Sequence, residues 1–96
     1  MNPAIAQHRT AIDQLDLELL RLINQRAQTV AEIARLKHQN ALPVSDEARE
    51  AAVLNSLVER NDGPLNAASI RRIFGSILAE SRRLQYHLKT ESPCTE

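Results

Sequence analysis

Apolar residues recur at three- and four-residue steps along the first forty positions of the chain: Ile5, Ile12, Leu15, Leu19, Leu22, Ile33 and Leu36. Such spacing belongs to one face of an α-helix. Neither Gly nor Pro interrupts it after Pro3, and Pro is tolerated in a first helical turn. The pattern predicts a helix over 3–38. QNALPVS at 39–45 breaks it, because Pro43 moves Leu42 out of helical geometry. Ser45 or Asp46 can then cap a second helix over 46–60, with Glu47 and Glu50 in its first turn at the positive end of the dipole. Val53, Leu54, Leu57 and Val58 share one side of that helix. NDGP at 61–64 is a turn signal. Asn66 caps a third helix over 66–89, whose inner face carries Ile70, Ile73, Phe74, Ile77, Leu78, Leu84 and Leu88. The tail TESPCTE at 90–96 is polar and expected to fray. The reading is all-α, three helices in one domain over 1–96.

The first helix is too long for its own chain. About 35 residues at 1.5 Å rise span roughly 50 Å. A compact domain of this length has a radius of gyration of only about 12–13 Å. One chain cannot wrap such a helix, so its apolar stripe calls for a second copy. The expectation is an intertwined homodimer with the long helices packed together.

Composition narrows the function classes. The chain has 96 residues, with twelve Lys+Arg against twelve Asp+Glu. Zero net charge gives no electrostatic reason to expect nucleic acid or an anionic membrane as partner. Phe74 and Tyr86 are the only aromatics, too few for a base-stacking platform. The single Cys, Cys94, cannot make an internal disulfide or a Cys-based zinc site. The N-terminal sequence has no basic segment followed by an apolar run, and no window approaches a membrane span. A cytoplasmic location is expected. With so few aromatics, the core must be built of Leu, Ile, Val and Ala.

Polar residues interrupt each apolar stripe. In the first helix Ile5, Ile12, Leu19 and Ile33 hold one heptad position, and the missing member is Arg26. Lys37 lies eleven residues later, on the same face about 16 Å along the axis. Cations on a core-facing stripe are costly unless anions meet them. Structural ion bridges or snorkelling stems are the ordinary explanation for either residue alone. In the second helix Arg49 and Glu50 stand one turn before Val53 and Leu54, and Asp46 sits at the cap. In the third, Ser81 and Gln85 fall between Ile77 and Leu88. One such residue usually bonds to backbone, but two on one stripe are less ordinary. If the interruptions converge, they form a small polar pocket inside a helical bundle. Its inventory is Arg26, Lys37, Arg49, Glu50, Ser81 and Gln85, which suits a small ligand with carboxylates and a hydroxyl. It offers no nucleophile with an adjacent base. His8, His38 and His87 have no metal-ligand spacing, and no Gly-rich loop could hold a nucleotide. No cofactor and no metal are expected, so the chemistry must rest on positioning and electrostatics.

Taken in order, HRTAIDQLDLELL at 8–20, Gln25–Arg26, Lys37, PVSD at 43–46, Arg49–Glu50 and Glu80–Ser81 with Gln85 resemble the all-α class of chorismate mutases. The resemblance covers roughly 5–88, and the ordered set is specific where each piece is weak. The loop QNALPVS and the residues before Arg49 differ from the commonest members. The resemblance implies an intertwined homodimer of three-helix chains that converts chorismate to prephenate, on the way to phenylalanine and tyrosine. The reaction is a Claisen rearrangement without cofactor or covalent intermediate. By motif, Arg26 and Arg9 would clamp the two substrate carboxylates. Lys37 would meet the ether oxygen and a carboxylate, and Gln85 would donate to that oxygen from the other side. Glu50 and the backbone near Asp46 would hold the ring hydroxyl, with Arg49 and Ser81 supporting the carboxylates. The catalytic set implied is thus Lys37, Gln85, Glu50 and Arg26.

Helix arithmetic adds a constraint. Arg9 and Lys37 are 28 residues apart, about 42 Å on a straight helix. They cannot reach one ten-carbon substrate from the same chain, so Arg9 would serve the partner's site. Two rivals stand beside this reading. An isochorismate-pyruvate lyase shares the fold and a similar cationic pocket, but Glu50 argues against it. A non-catalytic dimerisation or regulatory module would explain the stripe, but not Arg26, Lys37, Ser81 and Gln85 as a group.

Overall fold

The computed structural model describes residues 2–91 and contains, among them, three helices and no strand: α1 (Pro3–Gln39), α2 (Glu47–Arg60) and α3 (Ala67–Glu91). The all-α expectation holds, and each start has a local cause. Asn2 accepts from the Ala4 amide at 2.8 Å, with Pro3 in the first turn, so α1 begins where its orphan N–H groups find a partner. Of the two cap candidates for α2, Asp46 takes the role, its Oδ1 accepting from Arg49 N at 2.9 Å. Asn66 caps α3 through a 2.8 Å bond from Ser69 N. Between them Asn61 shapes the turn, accepting from Gly63 N and donating from its Nδ2 to Leu65 O.

The end of α3 departs from expectation. Thr90 and Glu91 are helical, whereas composition puts the start of the polar tail at Thr90. Nothing in those two residues breaks a helix, and the first strong stop is Pro93, which disfavours helical geometry at the residue before it. The rest of that tail lies outside the described residues.

The α1–α2 connection is a defined turn. The Leu42 amide donates to Lys37 O at 2.8 Å and the Ala41 amide to His38 O at 3.2 Å. These are the two bonds of a Schellman motif, which answers the orphan carbonyls at the end of α1. Ala41 occupies its left-handed position, with φ 56°.

Packing is centred on α3, which contacts both α1 and α2, while α1 and α2 do not meet. Among the described residues only Leu78 and Val44 are buried, at 6% and 9% exposure. The chain is elongated, 63 × 27 × 14 Å, with a radius of gyration of 17.5 Å against about 12–13 Å for a compact domain of this length. All seven members of the α1 stripe, from Ile5 to Leu36, are exposed within the single chain. So large an uncovered apolar face is the mark of an interaction surface. No helix among the described residues is long and apolar enough to cross a membrane.

Candidate active site

The polar interruptions of the three helices converge. α1 brings Arg26 and Lys37 to the same side, eleven residues and close to three turns apart. α3 lies along that side and presents Ser81 and Gln85, four residues apart. Arg26 Nη1 donates to Ser81 Oγ at 2.7 Å, and Ser81 Oγ donates to Ile77 O at 2.9 Å. The hydroxyl thus relays the guanidinium to the α3 backbone and fixes its place. One helical step further, Lys37 Nζ donates to Gln85 Oε1 at 3.5 Å and to Val44 O at 2.9 Å. The lysine takes the acceptor end of the Gln85 amide, so the Nε2 hydrogens remain to donate elsewhere. α2 closes the third side with Arg49 and Glu50, set by the Asp46 cap.

These side chains enclose a cavity of about 360 Å³, within the range of small-molecule sites. Arg26, Lys37, Asp46, Arg49, Glu50, Ser81 and Gln85 all line it, and Val30, Ile33, Val44, Val53 and Leu78 supply its apolar walls. Seven of the eight residues singled out from the sequence are therefore brought together. Arg9 is not. It lies exposed in the first third of α1, about 42 Å along the axis from Lys37, and lines no part of this cavity. A larger hollow of about 600 Å³, bordered by Gln28, Arg35, His38 and Leu88, opens on the opposite side of α1 and contains none of the eight.

Three contacts escape a reading of the sequence. Arg82 Nη1 pairs with Glu50 Oε1, joining α3 to α2. The Val44 carbonyl holds the Lys37 ammonium. Ser45 and Tyr86 share a 3.0 Å hydroxyl bond that ties the α1–α2 loop to α3. A backbone acceptor such as Val44 O carries no residue-type signal, and Arg82 reads as part of a solvated Arg-Arg pair. The one available hint is Glu50, an acid on an apolar face that needs a cation nearby.

The cavity can hold a small dianion by cations from α1 and α2, offer an ammonium and an amide donor close together, and accept from a hydroxyl at Glu50. Among the described residues no cluster of His, Cys, Asp or Glu could hold a metal ion.

The family model described as chorismate mutase type II matches residues 8–86. A bifunctional chorismate mutase/prephenate dehydratase of Neisseria gonorrhoeae is 44% identical over 73 residues, covering 76% of this chain and 20% of that protein. One from Stutzerimonas stutzeri is 37% identical over 87 residues, covering 84% and 24%. The chain spans about a fifth to a quarter of the length of these relatives. Among solved structures, a chorismate mutase from Thermus thermophilus superposes with TM-score 0.85 at 35% identity, covering 86% of this chain and 94% of that one. A chorismate mutase from Helicobacter pylori in complex with prephenate gives 0.88 at 26% identity, covering 96% and 100%.

Proposed function

The chain belongs to the chorismate mutase type II family, and on that premise we propose that it rearranges chorismate to prephenate in a pocket completed by a second copy of itself. The observation that carries the reading is the convergence of Arg26, Lys37, Glu50, Ser81 and Gln85 on one 360 Å³ cavity.

The chemistry asks little of the protein beyond shape and charge. One ether C–O bond breaks and one C–C bond forms in a single pericyclic step, and no proton is transferred. In water, chorismate mostly avoids the folded diaxial form that brings the reacting carbons together. Arg26, anchored on Ser81, and Arg9 of the partner subunit would take the two carboxylates and hold that form. Arg49 would add to the positive field. As the ether bond lengthens, negative charge grows on its oxygen. Lys37 and the Gln85 Nε2 group would stabilise that charge more than the ground state, and only such differential interactions speed the step. Their mutual bond supports this role, because it keeps both donors side by side before substrate arrives. The Glu50 carboxylate would accept from the ring hydroxyl.

The homodimer belongs to the same proposal. The exposed α1 stripe supports it, and so does the distance that keeps Arg9 from its own cavity. A cytoplasmic location goes with this reading, and cell fractionation tests it.

The assay is direct. The purified chain is incubated with chorismate and, separately, with isochorismate, and the products are identified. Prephenate from chorismate is expected. Salicylate and pyruvate from isochorismate, with no prephenate from chorismate, would make the chain a lyase. No product from either would favour a non-catalytic module.

A further inference from the structure

Four ion pairs are formed among the described residues. Arg21–Glu18, Arg35–Glu32 and Arg83–Glu80 each join neighbours three positions apart on one helix, with both side chains more than half exposed. Pairs of that kind contribute little and need no function. Arg82–Glu50 is different. It joins α3 to α2, and its side chains are only 39% and 24% exposed. Glu50 lines the cavity, whereas Arg82 does not. Arg82 follows Ser81 directly, so the 100° step of the helix turns Ser81 toward α1 and Arg82 toward α2.

The pair answers an electrostatic problem. A site that binds a dianion through Arg26, Lys37 and Arg49 also contains two acids, Asp46, already engaged by the Arg49 amide as the cap of α2, and Glu50. A loose carboxylate there would turn to those cations and compete with the substrate's own carboxylates. Its contact with them would be intramolecular and therefore favoured by proximity.

We infer that Arg82 is a positioning residue: from outside the cavity it holds Glu50 by Oε1, away from the substrate-binding cations, and leaves Oε2 to accept from the substrate hydroxyl. This rests on the chorismate reading above. It assigns Arg82 no contact with substrate. Every effect of Arg82 must then pass through Glu50, and removing the Glu50 charge should repair the part of the damage that comes from competition for the cations, while an amide oxygen at that position can still accept from the hydroxyl.

The test compares wild type, Arg82→Gln, Arg82→Lys and the double variant Arg82→Gln/Glu50→Gln. Each is measured for KM and kcat on chorismate and for Kd of prephenate by calorimetry. Arg82→Gln is expected to raise KM about tenfold with a smaller change in kcat, the lower end for removing a group that orients a working one. Arg82→Lys keeps the counter-charge and should stay within about threefold of wild type. The double variant should have a KM at least about threefold below that of Arg82→Gln, because a neutral amide no longer competes for the cations. A mere tether between α2 and α3 is equally broken in both variants and predicts no such recovery. A double variant whose KM and Kd equal or exceed those of Arg82→Gln would therefore overturn the inference. The prephenate Kd ordering tests it even in a chain with slow turnover. A wild-type chain that makes no prephenate but shows the Kd ordering would remove the proposed activity and leave Arg82 its role. A wild-type chain that neither converts chorismate nor binds prephenate would overturn both.

Discussion

The Lys37 ammonium donates to the Val44 carbonyl at 2.9 Å, and the Lys37 carbonyl accepts from Leu42 in the turn between them. One residue therefore grips the α1–α2 loop at two points, Leu42 and Val44. The backbone bond closes the Schellman turn, and the side-chain bond brings buried Val44 against the cavity. The ammonium is held by the loop and by Gln85 at the same time, so its position is set before substrate binds. Replacing Lys37 with Ala removes the proposed charge partner of the ether oxygen and leaves Val44 O without its donor. We expect kcat to fall on the order of 10²–10³-fold, as for a lost oxyanion donor. KM should rise as well, because the loop loses an anchor. A variant that keeps more than about a tenth of wild-type kcat would take Lys37 out of the reacting centre.

Gln85 makes a sharper test, because its role depends on being a donor at every pH. In Gln85→Glu, only the protonated acid can donate to the ether oxygen. An unperturbed Glu titrates near about 4.3, and the Lys37 ammonium next to it favours the charged form, which lowers that value. The active, protonated form is thus present below the folded pKa and lost as pH rises through it. The variant should be most active in acid and fall steadily toward neutrality, where wild type keeps its activity. A pH–rate profile of kcat for both proteins decides it. A variant as active at pH 7 as in acid would remove Gln85 from the ether oxygen.

What the sequence reveals and what it hides follow from the physics of each position. Arg26 and Lys37 are legible because a cation takes a place that periodicity reserves for Leu or Ile. Ser81 and Gln85 are legible because neutral polar side chains take such places together on α3, and all four line the cavity. Asp46, Ser45 and Asn66 announce the helix starts, although only the backbone decides that Asp46 rather than Ser45 takes the cap of α2. Arg82 stays hidden, because one helical step away from Ser81 it leaves the apolar stripe and looks like a solvated charge. Its partner is 32 positions away on another helix, a distance no local pattern spans. Arg9 is placed by family resemblance and helix length alone, and the single chain leaves it exposed.

Ala41 offers a change in stability without touching a cavity-lining charge. It sits at the left-handed position of the Schellman turn with φ 56°, where a Cβ is strained and Gly is not. Ala41→Gly removes that strain, while the freer unfolded chain offsets part of the gain. The net effect should be a stabilisation of about 0.5–1 kcal/mol, or a rise in Tm of about 2–8 °C for a domain of this size. Thermal melts at matched protein concentration check it. An unchanged or lower Tm would mean that the strain at Ala41 is relieved elsewhere in the loop.

The sharing of Arg9 across the dimer can be read from activity alone. Arg9→Ala and Lys37→Ala should each be nearly inactive as homodimers. In a mixed dimer, the site built on the Arg9→Ala chain keeps its own Lys37 and receives Arg9 from the other subunit. The opposite site lacks both. Unfolding the two variants together in equal amounts and refolding them makes about half the dimers mixed, each with one intact site of two. Activity should therefore return to about a quarter of the wild-type value at the same total chain concentration. Simple mixing without refolding should restore it only as fast as subunits exchange. The separate variants, refolded alone, provide the baseline. Recovery would place Arg9 in the neighbouring subunit's site, as the helix length requires. Failure to recover, with a dimer still present by sedimentation, would mean that Arg9 does not complete the other chain's pocket, and the charge that meets the second carboxylate would have to come from Arg49 of the same chain.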